Sequence, residues 1–84
     1  MTAKHAPPAQ VETVGVTIQK IIRSRSFQIG VAEVRAGRPP RFDRDDWEYE
    51  RGRQFGIVAP RSLPLMRGKR VNPRAVIIFV RHIL

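Results

Sequence analysis

The side chains able to do chemistry fall into two blocks of different charge balance. Residues 51–84 carry eight Lys or Arg and no Asp or Glu, whereas residues 1–50 carry eight basic and seven acidic side chains, so nearly all of the formal net charge of +9 is C-terminal. Thirteen of the 16 cations are Arg, whose planar fork pairs phosphate or carboxylate bidentately and stacks on bases or aromatic rings. A dense, acid-free, Arg-biased half points to a polyanionic partner, nucleic acid first among them. The plainer alternative is that the charge only keeps a small protein soluble. Arg53, Arg61, Arg67, Lys69, Arg70, Arg74 and Arg81 are the candidates for phosphate contact, with the backbone N–H groups of a helix start at Asn72 as additional donors.

Other chemistries lack their parts. His5 and His82 stand at opposite ends of a chain without Cys, so no metal-ligand spacing exists and no disulfide supports the fold. Asp43, Asp45 and Asp46 are close together, but the Gly and distal Glu of a calcium loop have no counterparts at the required spacing. Ser24, Ser26 and Ser62 have no His and acid arranged near them, and phosphate-loop and dinucleotide fingerprints are absent. The segment RGRQFGIV matches the core sequence of the RNA-recognition motif at Arg51, Gly52 and Phe55 only, on an expected helix instead of a strand. The expectation is a binding protein, not an enzyme, with no cofactor and no small-molecule substrate.

The clearest helix start is in DRDDWEYERGRQFGIVAP, residues 43–60. Asp43 serves as N-cap, Asp45, Asp46, Glu48 and Glu50 lie where the helix dipole favours anions, and Pro60 stops the ladder. On the helical wheel Trp47, Gly52, Phe55, Val58 and Ala59 form the core face, and Glu48 and Arg51 fall in the same arc as a partly buried ion pair. Gly52 and Gly56 each cost about 1 kcal/mol relative to Ala, so a close crossing by another backbone is expected there. Ser24 or Ser26 caps a preceding helix over 24–37, with Phe27, Val31 and Val34 on one face and Gly37 past its end. Pro39 and Pro40 enforce the stop, and the short stiff link 38–42 implies an antiparallel helix pair.

Upstream, VETVGVTIQKII over 11–22 reads as a half-buried strand with Val14, Val16, Ile18 and Ile22 on one side, against a helical alternative through Ile18, Ile21 and Ile22. A single strand needs a partner, which is a hint of dimerisation. Residues 1–10 read as a disordered tail. Downstream, 61–71 reads as an irregular basic loop. Asn72-Pro73 signals a helix start, with a buried strand AVIIFV as the competing reading. That helix would be apolar over half its circumference, through Ala75, Val76, Ile77, Phe79, Val80, Ile83 and Leu84, with His82 compensating the dipole in the last turn.

The residues GVAEVRAGRPPRFDRDDWEYERGRQF resemble those of small basic proteins of bacteria and phages in which a Gly-containing helix, a G-R-P turn and W-x-YERGR recur. More loosely they resemble the ribosome modulation factor family. The likeness covers about a third of the chain, near Phe27 to Phe55, and implies a helix pair and a ribosomal partner. Taken together, the expected protein has a tail over 1–10 and one small basic domain over 11–84. That domain is mainly α with a small α+β variant possible: an N-terminal strand followed by three helices, the middle two antiparallel. It is expected to be dimeric and cytoplasmic, with no apolar run near membrane-spanning length. It would bind nucleic acid or a ribonucleoprotein, the alternative being a regulatory module that docks an acidic protein.

Overall fold

One serine separates the first two helices. In the computed structural model, which describes residues 17–44 and 46–84, the chain is helical over residues 17–23 (α1) and again over Arg25–Arg35 (α2). Between them Ser24 is extended; its hydroxyl donates to the Ile21 carbonyl oxygen at 2.7 Å and accepts from the Phe27 N–H at 3.2 Å. It thus closes α1 and caps α2. There follow α3 (Trp47–Val58), a minimal hairpin of β1 (Met66–Arg67) and β2 (Arg70–Val71), and α4 (Pro73–His82). The protein is mainly helical with one two-stranded antiparallel sheet.

The strand expected over 11–22 is corrected where it can be compared, since residues 17–22 are helical and 11–16 lie outside the described residues, as does the tail over 1–10. Ile18 and Ile22 are buried, and their spacing of four suits a helical face as well as a strand face. Lys20 decides between the two. A strand would place it beside both isoleucines, whereas the helix turns it to solvent.

α2 ends as the sequence predicts. Gly37 takes a φ of 73°, the Arg38 N–H donates to the Glu33 carbonyl and the Gly37 N–H to the Val34 carbonyl, the paired bonds of a Schellman cap. α3 begins at a different aspartate from the one expected. Asp46, not Asp43, is the N-cap, accepting from the Tyr49 N–H at 2.7 Å. The core face shifts with it. Trp47 and Val58 are 46% and 45% exposed, while Tyr49 is buried at 1% beside Gly52, Phe55 and Ala59. Glu48 and Arg51 do not pair; Arg51 donates to Gln54 Oε1 at 2.7 Å and lies 5.1 Å over the Trp47 ring.

The expected close crossing involves Gly52 together with Gly30. A Cβ on Gly52 would press on the Phe27 carbonyl, and one on Gly30 would lie inside contact with the Tyr49 carbonyl and 2.8 Å from the Arg53 nitrogen. Backbone therefore packs directly on backbone. The antiparallel expectation is corrected by the contact order: Gly30 meets Tyr49 and Gly52, Val34 meets Gly56, and Arg35 reaches Pro60. Away from the crossing point at Gly30 and Gly52 the contacts ascend along both helices together, from Ser26 beside Arg44 to Arg35 beside Pro60, as in a parallel crossing. The return needed for that is supplied by the 11 residues between Arg35 and Trp47, since α2 is only about 16 Å long at 1.5 Å per residue and an extended link of this length reaches about 35 Å.

Phe27 stands at the centre of the core, edge-on to Phe55 at 5.5 Å and tilted against Phe79 at 5.9 Å, which joins α2, α3 and α4. Ile18, Ile22, Val31, Ala59, Leu63, Val71 and Ala75 complete the cluster.

The basic loop over 61–71 contains the hairpin, paired Met66 to Val71 and Arg67 to Arg70, with Gly68 at φ 62° in the turn, a position where Gly costs no strain. The Asn72-Pro73 start is confirmed, and with it the helix in place of the strand. The Asn72 side chain accepts from the Arg74 N–H at 3.1 Å and donates to the Pro64 carbonyl at 2.9 Å. The face of α4 that is buried is narrower than the apolar half-circumference: Ala75 and Phe79 are buried, while Ile77, Val80 and Leu84 are exposed. Among the described residues no helix is long and apolar enough to cross a membrane.

Candidate nucleic-acid interface

The seven candidate cations separate according to which carboxylates they can reach. Arg53 is withdrawn. Its side chain is 16% exposed, lies 3.5 Å from Glu33 Oε1 and donates to the Arg38 carbonyl at 2.9 Å. Glu33, buried on α2, also receives the Tyr49 hydroxyl at 2.5 Å on Oε1 and Arg41 at 2.7 Å on Oε2. The Tyr49 hydrogen bond holds the Glu33 carboxyl below the usual carboxylate range, against the opposing effect of burial and with help from Arg41 and Arg53. Arg44 donates to Asp46 at 2.8 Å and to Ser26 at 3.0 Å, with its guanidinium 4.9 Å over the Tyr49 ring. The Asp46 carboxyl is lowered by Arg44 first and then by the Tyr49 N–H. Glu33 and Asp46 thus pair with arginines at the α2–α3 junction.

Beyond that junction, among the described residues, Arg61, Arg67, Lys69, Arg70, Arg74 and Arg81 are in none of the ion pairs. Arg67 and Arg74 line one cleft of about 360 Å³ with Ser62, Pro64 and Asn72. Arg70 lines a second of about 350 Å³ with Gln19 and Arg23. Lys69 is exposed in the turn between the two strands, and its carbonyl accepts from Arg23 at 3.0 Å. The hairpin and the start of α4 therefore gather Arg67, Lys69, Arg70 and Arg74. Arg61 is exposed and is not among the residues lining either cleft, though Pro60 and Ser62 beside it line the first; its charge adds to burial in lowering the Arg35 pKa. Arg35 itself is spent on the fold, donating to the Leu63 carbonyl at 2.8 Å and to Pro60 at 3.3 Å. Arg81 is exposed, seven residues beyond Arg74 on α4.

One expected contribution is overturned. The backbone donors at the α4 start are occupied, the Arg74 N–H by the Asn72 side chain and the Ala75 and Val76 N–H groups by the Asn72 carbonyl, while Pro73 has no N–H. Any anion held here is held by side chains. Arg23 is the residue that sequence reading missed, because nothing in IIRSRS shows that α1 ends against the hairpin turn. Among the described residues no group of three or more His, Cys, Asp or Glu is placed to hold a metal ion.

No protein family, no curated protein and no solved structure matches this chain.

Proposed function

We propose that the chain binds nucleic acid or a ribonucleoprotein, without performing a reaction, through the outward side chains of Arg67, Lys69, Arg70 and Arg74. The observation that carries this reading is the segregation of charge. Glu33 and Asp46 are paired with arginines at the α2–α3 junction, and the two clefts beside the hairpin contain Arg67, Arg70, Arg74 and Arg23 with no acidic side chain among the described residues of their walls. Such a face has phosphate contacts to offer and no arrangement for reading base edges, so it favours sequence-independent binding.

Salt dependence tests it. Four phosphate contacts give a slope of log K against log salt of about −2.8 for a single strand and about −3.6 for a duplex. Between about 50 and 200 mM salt the affinity for a labelled oligonucleotide should therefore fall by roughly 50- to 150-fold, read by fluorescence anisotropy. Flat binding across that range would remove the proposal. Nucleic acid that co-purifies with the protein and is shed at high salt agrees with it; a protein free of nucleic acid that instead retains one acidic protein favours docking to that partner.

A further inference from the structure

We propose that the cleft between α1 and β2 is a seat for a single phosphate-type oxyanion, with the guanidinium groups of Arg23 and Arg70 as its opposing walls. The cleft is lined by Gln19, Arg23, Arg70, Val71 and Pro73. Gln19 and Arg23 are four residues apart on α1, so an amide and a guanidinium stand side by side on one helix face.

Arg23 is oriented by the fold. One terminal nitrogen donates to the Lys69 carbonyl at 3.0 Å, and because a guanidinium carries five N–H donors in one rigid plane, that bond holds one edge of the group toward the hairpin turn and leaves other donors over. Arg70 stands on a strand whose register is set by the pairs Met66 to Val71 and Arg67 to Arg70. Burial of Val71 turns its exposed neighbour Arg70 the other way. Val71 and Pro73 supply apolar lining, and none of the described lining residues is acidic.

A positioned fork discriminates by shape as well as charge, since it offers two parallel donors to two oxygens of one anion. The seat is therefore expected to prefer phosphate to a spherical anion of the same concentration. Arg67 and Arg74 share a cleft of similar size, but neither has a hydrogen bond of the kind that orients Arg23. The proposal rests on the proposed function only for the source of the phosphate, which is either a nucleic-acid backbone or a free phosphate group.

The test titrates the full chain with inorganic phosphate at constant ionic strength while NMR follows the side-chain Nε–H signals of Arg23 and Arg70. R23K and R70K keep the charge and remove the fork. The expected result is saturable shifts of both signals that chloride does not reproduce, with phosphate binding weakened about tenfold or more in each variant and unchanged in R81K. Absence of saturable shifts in the wild-type chain, equal shifts with chloride, or wild-type affinity in R23K and R70K would overturn the seat. The wild-type titration stands even where a variant folds poorly. A second arm uses an oligothymidylate without terminal phosphates. Shifts with both probes support the seat and assign it to backbone phosphate; shifts with inorganic phosphate alone support the seat and count against the nucleic-acid reading. Oligothymidylate binding that leaves Arg23 and Arg70 unshifted overturns the seat and leaves the hairpin interface standing.

Discussion

Replacing Gly52 with Ala is expected to lower the thermal midpoint by about 6–12 °C, against the direction that helix propensity alone predicts. Ala in a helix interior is favoured over Gly by about 1 kcal/mol. The added Cβ, however, would lie 2.8 Å from the Phe27 carbonyl carbon and closer still to its oxygen, and backbone atoms cannot rotate away. α2 and α3 would have to separate by roughly 0.5–1 Å, which forfeits about a quarter to a half of the dispersion attraction across the gap. Phe27, Val31 and Phe55 meet there, and each is worth about 1.5–3 kcal/mol when fully buried. The loss is then about 2.5 kcal/mol and the net effect about 1.5 kcal/mol, a sizeable part of the roughly 4–12 kcal/mol available to a chain of this length. Circular dichroism melts of wild type, G52A and G56A measure it. Gly56 is the internal comparison, because a Cβ there meets the Val34 Cβ at 2.9 Å and the Val31 carbonyl oxygen only at 3.3 Å, a smaller overlap than at Gly52, so G56A should melt between wild type and G52A. A G52A protein that melts at or above wild type would refute the backbone crossing on which the fold is built.

Two further perturbations probe other parts of the structure. Asn72, 1% exposed, caps α4 and donates to the Pro64 carbonyl in a half-buried bond, so Asn72→Ala should cost about 1–3 kcal/mol. Asn72→Asp retains the acceptor but sets a carboxylate oxygen against the Pro64 carbonyl, so both variants should be less stable than wild type in denaturant melts, and an Ala variant as stable as wild type would contradict the capping role. Glu33 and Asp46 ionise more readily folded than unfolded. Their contribution to stability is therefore complete above the ordinary carboxylate pKa and is lost as pH falls through the lowered folded values. Tyr49→Phe removes the largest of the influences that lower Glu33. It should shift acid unfolding to higher pH, and an unmoved acid midpoint would show that Tyr49 does not hold the carboxylate.

What could be read from the sequence was mostly capping chemistry. Ser24, Gly37 and the pair Asn72-Pro73 act within one turn of themselves, so their residue types already specify their roles. The face of α3 was less accessible, because Asp43, Asp45 and Asp46 are all acceptable caps. The choice of Asp46 is supported by Arg44 and by Tyr49, whose hydroxyl reaches Glu33 on another helix. No local pattern contains that distant carboxylate. The helical ending of the strand expected over 11–22 was signalled by Lys20, which a period of two places among the isoleucines. In the proposed interface, Arg67, Lys69, Arg70 and Arg74 were candidates because no acid stands near them in sequence. Arg53 belongs to the same acid-free half and yet is consumed by Glu33, twenty residues earlier, a pairing that only the fold creates.

The most direct measurement of the central claim is the salt slope of oligonucleotide binding for single charge-neutralised variants. Arg67→Gln, Lys69→Gln, Arg70→Gln and Arg74→Gln should each reduce the slope by about 0.7–0.9, while Arg53→Gln, whose guanidinium already faces Glu33, should lower stability and leave the slope as it is. Equal slopes for the wild type and the four hairpin-side variants, or a reduced slope in Arg53→Gln alone, would contradict the account.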